Sequence, residues 1–207
     1  MKLYFTRHGK TEWNNDMRLQ GMHGDSPLLP QSFKEIEALG QHLSEIAFEK
    51  VYVSPMKRTQ LTAEGIVSEL AHQPEIEYKD GLKELGLGEL EGKKIMWTRE
   101  KYPEEMHALR FEPDKYDPSP FGGETYEEML ERSMAVVTEA VEEHHDGPLL
   151  FVSHGATLTG CIQRLAGAPL ADIRAQGGLD NNSLSIIDVT NGVYTLELWN
   201  DVSFLDK

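Results

Sequence analysis

The sequence has little of what disulfide-stabilised or membrane-spanning proteins require. Its 207 residues include a single cysteine, Cys161, so no disulfide bond can form within the chain. This cysteine shares a helical apolar pattern with Leu158, Ile162 and Leu165, which predicts a buried structural thiol. No apolar run approaches the roughly 20 residues of a membrane span, and the first residues lack a signal-peptide cleavage pattern. We therefore expect no membrane partner and a cytoplasmic location.

Positive charge is also scarce. Acidic residues outnumber basic residues by 35 to 20, which gives a formal net charge of −15. Such a charge repels nucleic acids and anionic membranes at long range, so no nucleic-acid partner is expected. It also disfavours anionic substrates, unless the few arginines are gathered in one pocket. The positions of the arginines are therefore informative.

Short apolar runs alternate with longer helical patterns along the chain. The expected strands are residues 3–6, 50–54, 75–79, 149–153, 183–189 and 193–199. One expected helix begins at a capping box at Ser32, and a second has Ser54 as its cap and Pro55 in its first turn and runs to about Ala71. A third begins at a capping box at Thr125 and runs to about His145, and a fourth covers residues 156–166. This order predicts an α/β fold in three layers, with a mostly parallel central sheet and helices on both faces.

Residues 93–123 interrupt the alternation. They contain four prolines together with aromatic and charged residues, which predicts an irregular, lid-like insertion over one end of the sheet. Such a segment either contacts substrate or is a surface insertion without a role. The chain is expected to form one domain over residues 1–207, with this insertion included.

Chemically active side chains follow the ends of the expected strands. Arg7 and His8 end the first strand, and His154 ends the fourth. Arg58 lies just after the second strand, and Glu84 follows the third. Parallel strands end at one edge of a sheet, where open α/β folds bind their ligands. Five such groups at four strand ends predict a single site.

Several motifs give a stronger pattern. They cover residues 7–14 (RHGKTEWN), 18–21 (RLQG), 25–28 (DSPL), 54–63 (SPMKRTQLTA), 84–92 (ELGLGELEG), 122–125 (GGET) and 152–155 (VSHG). Through these motifs the sequence resembles the histidine phosphatase superfamily, which includes the cofactor-dependent phosphoglycerate mutases. The resemblance covers nearly the whole chain and is most specific in the first motif.

The resemblance implies a role for each of the five strand-end residues. His8 is the expected nucleophile, which attacks phosphorus and forms a phosphohistidine. Arg7 and Arg58 would clamp the phosphoryl oxygens, and their charge would disfavour protonation of the His8 ring. His154 would donate a hydrogen bond to the equatorial oxygens. Glu84 would protonate the leaving alkoxide and later activate water.

Four further residues resemble the phosphate-side positions of the family. Asn14 and Gln20 match neutral donors, while Gly21 and Gly155 would offer backbone N–H groups, the latter at the start of a helix. The hydroxyl of Thr11 either joins them or caps the turn that follows. No cofactor and no metal is expected. Zinc ligation by the two histidines and the glutamate is the alternative, but the neighbouring arginines disfavour a dication.

Departures from the family pattern favour hydrolysis. Mutases usually carry Arg-His-Tyr after the matching glutamate, where this sequence has Leu85-Gly86-Leu87, and Ala156-Thr157 replaces their Asn-Ser. A mutase must retain its phosphorylated intermediate, whereas a phosphatase admits water. We therefore expect a phosphatase of small phosphorylated metabolites. A phosphoglycerate mutase and a non-catalytic phosphate-binding module remain alternatives, and the substrate and the oligomeric state are open.

Overall fold

The computed structural model of the protein describes residues 1–144 and 147–205. The strands within these residues are β1 Lys2–Arg7, β2 Lys50–Val53, β3 Glu75–Tyr78, β4 Leu149–Ser153, β5 Leu184–Thr190 and β6 Val193–Asp201. The α-helices are α1 Glu12–Asn15, α2 Pro30–His42, α3 Lys57–Glu69, α4 Ile95–Lys101, α5 Pro103–Phe111, α6 Tyr126–Glu143 and α7 Gly155–Leu165. All six expected strands are present, with boundaries within two residues of the expectation.

The strands form one sheet in the order β3-β2-β4-β1-β5-β6. The first four in this order are parallel, whereas β5 and β6 are antiparallel to their neighbours. Arg7 pairs with Ser153, and Val53 pairs with Val152, so β1, β4 and β2 end side by side. This register brings the residues that follow each strand to one edge of the sheet.

The central strands are apolar without alternation because helices cover both faces of the sheet. Val51, Val53 and Val152 pack in one cluster with α2 and α3. Tyr52 and Phe151, from the same strands, point the other way and pack with α6 and α7. The structure therefore confirms the three-layer α/β prediction. None of the described helices is both long and apolar enough to cross a membrane.

Two of the expected helix starts are wrong. α2 begins at Pro30, because proline lacks an N–H group and fits the first helical position, and the Ser32 hydroxyl instead donates to the Lys10 carbonyl at 2.6 Å. α3 begins at Lys57, which leaves the Ser54 side chain free for a different contact. The capping box at Thr125 is confirmed. The expected end of that helix, His145, lies outside the described residues.

The segment 93–123 is helical, not irregular as expected. It contains α4, α5 and two short 3₁₀ turns at Pro113–Lys115 and Ser119–Phe121. Its Met106, Tyr116 and Phe121 pack in a third apolar cluster with Tyr126 and Met129 of α6. The prolines that suggested irregularity stand at helix starts, where their missing N–H costs nothing.

The one cysteine is buried, as predicted. Cys161 is 1% exposed and lies in the cluster between the sheet and α6. Burial raises the pKa of its thiol to about 12, so the thiolate is not accessible at neutral pH. This residue contributes packing to the fold.

Candidate active site

His8 lies directly after β1, and its side chain is buried. Its Nδ1 atom is 2.8 Å from the carbonyl oxygen of Gly9. A carbonyl oxygen only accepts, so Nδ1 carries the proton and Nε2 keeps its lone pair. Burial, together with the charges of Arg58 and Arg7, lowers the pKa of His8 well below its usual value. The imidazole is therefore neutral at physiological pH, with Nε2 able to act as a nucleophile.

His154 follows β4 and lies next to His8, with ring centroids 5.3 Å apart. It is fully buried, and its Nε2 atom is 2.7 Å from the hydroxyl oxygen of Ser54. Burial, followed by the charge of Arg58, lowers the pKa of His154 well below its usual value. The neutral ring has its Nε2 engaged by the Ser54 side chain, and its Nδ1 has no hydrogen-bond partner within residues 1–144 and 147–205.

Arg58 lies in the first turn of α3, and its side chain is 1% exposed. One Nη donates to the carbonyl of Gly24 at 2.7 Å and to the carboxylate of Asp25 at 3.0 Å. The other Nη donates to the carbonyl of Gly21 at 3.1 Å. These bonds fix the guanidinium plane, which is the condition for directional binding of an oxyanion.

Arg7 is the second arginine at this edge of the sheet. One of its Nη atoms donates to the carbonyl oxygen of Leu179 at 2.6 Å. A Cβ atom added at Gly155 would lie 3.2 Å from Arg7 Nε and 3.3 Å from its Cζ. Glycine at position 155 thus has a steric role beside the predicted one: the guanidinium of Arg7 packs on the backbone there.

Three buried nitrogen atoms of this group have no hydrogen-bond partner among the described residues. They are Nε of Arg7, Nε of Arg58 and Nδ1 of His154. A buried polar group without a partner costs about 1–3 kcal/mol, so native structures seldom leave several together. The three nitrogens belong to side chains that surround the neutral ring of His8, so hydrogen-bond donors are left unused at this place in the fold.

The carboxylate of Glu84 is held at the start of α7. Its Oε1 accepts from the Leu85 and Thr157 amides, both at 2.9 Å, and from the Thr157 hydroxyl at 3.0 Å. Its Oε2 accepts from the Ala156 amide at 3.1 Å. These hydrogen bonds fix the orientation of the Glu84 carboxylate. The amino end of a helix carries a partial positive charge, which favours an anion at this place.

The side-chain oxygens of the neutral candidates, Asn14 and Gln20, accept hydrogen bonds from the protein, whereas their NH₂ groups stay available to a ligand. Asn14 Oδ1 accepts from the backbone N–H of Thr11 at 3.1 Å, and Thr11 Oγ1 in turn accepts from the Asn14 N–H. Thr11 is therefore the cap of α1. Gln20 Oε1 accepts from the hydroxyl of Ser26 at 3.1 Å. With the oxygens so assigned, the side-chain NH₂ groups of Asn14 and Gln20 remain to donate to a ligand.

One cavity of about 490 Å³ gathers the candidate residues. Eight of the nine predicted site residues line it: Arg7, His8, Asn14, Gln20, Gly21, Arg58, Glu84 and Gly155. The ninth, His154, is buried beside His8. The described residues contain no group of three or more His, Cys, Asp or Glu side chains placed to hold a metal ion.

The arginines of the chain converge on this cavity. The sequence has eight arginines, and six of them line the cavity: Arg7, Arg18, Arg58, Arg99, Arg110 and Arg174. Only two acidic residues, Glu84 and Asp180, share that wall. A protein with a net charge of −15 thus presents a locally positive pocket, which removes the electrostatic objection to an anionic ligand.

The sequence pattern of the whole chain matches a known family. The model of the histidine phosphatase superfamily (branch 1) matches residues 3–202. The chain belongs to the histidine phosphatase superfamily.

Relatives in this superfamily span the length of the chain. It is 29% identical to the metal-independent phosphoserine phosphatase of Arabidopsis thaliana, over all of this chain and 84% of that protein. It is 30% identical to the probable phosphoglycerate mutase GpmB of Salmonella paratyphi A, over all of this chain and 95% of that protein. The solved structure of Bacillus stearothermophilus YhfR is 29% identical with a TM-score of 0.91, and each chain covers 98% of the other.

Glu91 supports the site but was not singled out from the sequence. Its carboxylate accepts from the amides of Met22, His23 and Gly24, all at 2.9 Å, and of Leu87 at 3.1 Å. A Cβ atom added at Gly21, whose φ is +67°, would lie 2.3 Å from Glu91 Oε1. Glu91 thus shapes the turn that supplies the carbonyl partners of Arg58. It stood in the weak glycine-rich motif, which gave no hint of this task.

Arg132 is the second residue that sequence reasoning missed. It lies on α6 and forms a two-point ion pair with Glu124, at 2.6 and 2.8 Å. Its guanidinium also donates to the carbonyls of Gly81 and Lys83 at 2.8 Å and of Glu84 at 3.1 Å. These bonds hold the loop that carries Glu84. The one sequence signal for this contact was the GGET motif at residues 122–125, which contains Glu124.

Proposed function

We propose that this protein is a phosphomonoesterase that hydrolyses small phosphorylated metabolites through a phosphohistidine on His8. One observation carries the proposal: Arg7 and Arg58, whose charges lower the pKa of His8, line one cavity with an imidazole whose Nε2 keeps its lone pair. Fixed cations and a neutral nucleophile are what in-line attack on a phosphate monoester requires. Residues 93–123 would supply the substrate-contacting wall of a single domain over residues 1–207.

In the first step, the lone pair of His8 Nε2 attacks phosphorus while the ester P–O bond breaks. The leaving oxygen takes a proton from Glu84, so the products are an alcohol and a phosphohistidine. The ring becomes positively charged, and the Gly9 carbonyl that accepts from Nδ1 at 2.8 Å stabilises this charge. Removing the His8 side chain removes the atom to which this step transfers the phosphoryl group.

In the second step, water attacks phosphorus while the P–N bond breaks. Glu84 takes the proton from the attacking water, and the electron pair of the broken bond returns to Nε2. Inorganic phosphate leaves, with both side chains restored. The donors at the start of α7 hold the Glu84 carboxylate at the cavity wall during both steps.

Arg7, Arg58 and His154 would stabilise the charge that spreads over the equatorial oxygens. Asn14, Gln20 and the backbone N–H groups of Gly21 and Gly155 would complete this set. Loss of one preorganised donor costs about 3 kcal/mol of barrier, or roughly a hundredfold in rate. His154→Ala should therefore slow catalysis by about this factor and leave the nucleophile in place.

The direct test is phosphate release from a panel of phosphate esters with chelator present. We expect turnover by the wild type, none by His8→Ala, and unchanged turnover by His72→Ala, which alters an exposed histidine. Rapid quenching into alkali, followed by mass spectrometry, should capture an acid-labile adduct on His8. Full activity of His8→Ala would overturn the proposal.

A phosphoglycerate mutase is the second candidate, because the chain is 30% identical to a protein named as a probable one. Leu85 and Leu87 line the cavity next to Glu84, where mutases usually carry polar residues. An apolar wall holds a transferred phosphoglycerate poorly, which favours hydrolysis. Incubation with 3-phosphoglycerate separates the two: interconversion faster than phosphate release would replace the phosphatase proposal. Phosphate binding without any turnover would identify a non-catalytic module.

A further inference from the structure

The peptide unit between His8 and Gly9 is held by two side chains that the proposed chemistry does not use. Its carbonyl oxygen, which belongs to His8, accepts a hydrogen bond from Nδ2 of Asn181 at 2.9 Å. Its N–H group, which belongs to Gly9, donates to Oγ1 of Thr62 at 3.0 Å. A peptide unit is planar, so a hydrogen bond at each of its two polar groups fixes the orientation of the whole plane.

The orientation of this plane determines where the nucleophile points. The His8 ring is carried by the Cα atom at one end of the peptide unit, and the Gly9 carbonyl that accepts from Nδ1 at 2.8 Å follows the Cα atom at the other end. Gly9 itself is closely packed, since a Cβ atom there would lie 3.1 Å from Ser32 and 3.2 Å from Ile36. Rotation of the peptide unit would therefore move the ring relative to the acceptor of its proton, and the direction of the Nε2 lone pair would change.

Thr62 connects this peptide unit to Arg58. It is fully buried on α3, one helical turn after Arg58, and its hydroxyl donates to the Arg58 carbonyl at 2.7 Å. A hydroxyl has one proton and two lone pairs, so the same oxygen can also accept from the N–H of Gly9. One atom of Thr62 therefore sets the distance between the backbone of the nucleophile and the backbone of an arginine that lines the same cavity.

Asn181 extends from the segment that precedes β5, and its neighbours in sequence are anchored. The amide of Asp180 donates to Oδ1 of Asn200 at 2.7 Å, and Nδ2 of Asn200 donates to the Asp180 carboxylate at 3.0 Å. The amide of Asn182 donates to the Arg7 carbonyl at 3.0 Å. The backbone on both sides of Asn181 is therefore fixed, which holds its side chain at the end of β1.

Asn181 also constrains Asn14, which lines the cavity. Nδ2 of Asn181 faces the His8 carbonyl, which only accepts, so the amide orientation of Asn181 is determined. The same nitrogen is 3.4 Å from Oδ1 of Asn14, the oxygen to which the Thr11 amide also donates. These two donors select the amide orientation in which the Asn14 NH₂ group is available to a phosphate oxygen.

We infer that Thr62 and Asn181 are positioning residues, which hold the peptide unit between His8 and Gly9 from both sides and so direct Nε2 of His8 at phosphorus. The inference rests on the proposed function, since it takes His8 as the nucleophile. Neither side chain lines the cavity, so both act through the backbone of the nucleophile and not through contact with substrate.

Substitutions of similar shape test the two bonds. Thr62→Val and Asn181→Leu remove the polar atoms and keep the approximate volume, whereas Thr62→Ser keeps the hydroxyl and should behave as the wild type. Thr138→Val is the matched control for threonine, because Thr138 donates in the same way to the carbonyl four residues earlier, at 3.0 Å, on a different helix. Asn15→Leu is the control for asparagine, since Asn15 is exposed on α1. Circular dichroism and Tm verify that each variant is folded.

Affinities for orthovanadate and for inorganic phosphate separate the direction of the nucleophile from binding of the anion. Vanadate resembles the transition state when it bonds to a nucleophile, whereas phosphate needs only the donors around it. We expect the wild type to bind vanadate about a hundredfold more tightly than phosphate. Thr62→Val and Asn181→Leu should each reduce this ratio and kcat about tenfold, and should change the Kd of phosphate by less than about twofold.

Nitrogen NMR of protein with isotope-labelled histidine gives a second readout, which needs no turnover. The spectrum distinguishes a protonated ring nitrogen from one that keeps its lone pair, and comparison with His8→Gln assigns the His8 signals. The wild type should show the proton on Nδ1, as the bond to the Gly9 carbonyl requires. Thr62→Val and Asn181→Leu should show a mixture of the two tautomers, while Thr62→Ser and both controls should resemble the wild type.

The outcomes separate this inference from the proposed function. An unchanged His8 spectrum in Thr62→Val and Asn181→Leu, or an equal weakening of vanadate and phosphate binding, would overturn the inference. Absence of phosphate release from every ester by the wild type would count against the phosphatase proposal alone, because the spectra decide the hold on the His8 ring without any turnover.

Discussion

The hydroxyl oxygen of Ser54 lies 2.7 Å from Nε2 of His154, across two neighbouring strands of the sheet. When this hydroxyl donates to Nε2, the ring carries its proton on Nδ1, the nitrogen without a partner in the part of the chain that the structure describes. A phosphoryl oxygen accepts only, so this tautomer is the one that can bind it. Ser54 is thus a positioning residue that acts through His154.

Ser54→Ala should lower kcat about tenfold, because the ring is then free to adopt the tautomer that cannot donate from Nδ1. The measurement is a double-mutant cycle with His154→Ala, which shows whether the two residues act as one unit. In the His154→Ala background, the Ser54 substitution should have little further effect on kcat. Equal losses in both backgrounds would contradict this coupling.

Glu91 is predicted to control the position of Arg58 through the turn between them. Glu91→Gln replaces a charged acceptor of four amide bonds, each of which contributes more when the acceptor is ionised. We expect a loss of about 2 kcal/mol in the free energy of unfolding and a raised KM, since Arg58 is anchored on Gly21 and Gly24. Urea unfolding and steady-state kinetics check both.

Glu89→Gln is the matched control for this change, because Glu89 is exposed on the short 3₁₀ turn Gly88–Leu90, which directly precedes Glu91. It should alter neither stability nor KM by more than a small amount. Similar effects of the two substitutions would show that general charge, and not the bonds of Glu91, is responsible.

Arg132 is predicted to act on proton transfer through the loop that carries Glu84. Arg132→Met breaks the ion pair with Glu124 and three bonds to loop carbonyls, and Arg132→Lys should not rescue it, since lysine lacks the planar fork. We expect kcat for phenyl phosphate to fall about tenfold. The loss should be smaller for 4-nitrophenyl phosphate, whose leaving group needs less protonation. A loss of equal size for both esters would show a merely structural role. Glu127→Gln, at an exposed position of α6, is the control.

The sequence predicted the fold and the centre of the site because both rest on local patterns. Continuous apolar runs identified the covered strands, and the expected strand ends put His8 and His154 at the edge of the sheet where the structure has them. The supporting residues were out of reach for a physical reason. Glu91 and Arg132 bind backbone amides and carbonyls of segments that are distant in sequence. Nearly every residue type has these groups, so such partners cannot be identified from residue type.

The errors have the same origin. Ser32 and Ser54 match helix-capping patterns, but tertiary partners, the Lys10 carbonyl and the His154 ring, take both hydroxyls. The prolines of residues 93–123 suggested irregular structure, yet they begin helices. Because that segment was not expected to be helical, the sequence did not show that Arg99 and Arg110 line the cavity.

The two buried histidines predict how stability depends on pH. The pKa values of His8 and His154 are both lowered well below the usual value, in each case first by burial and then by Arg58. The unfolded chain binds protons at these residues near pH 6.5, while the folded protein does not. The unfolded state therefore binds more protons as the pH falls below about 6.5, and the free energy of unfolding decreases by about 1.4 kcal/mol per pH unit for each ring.

Urea unfolding at pH 7, 6 and 5 measures this effect against the double variant His8→Gln, His154→Gln. The wild type should lose about 2 kcal/mol more than the double variant between pH 6 and 5, because the variant lacks the two rings that take up protons on unfolding. Each single variant should fall halfway between them. Carboxylates that titrate in the same range contribute equally to all four proteins and cancel in the comparison. A wild type and a double variant that lose stability in parallel would show that the folded protein protonates these rings as readily as the unfolded chain does.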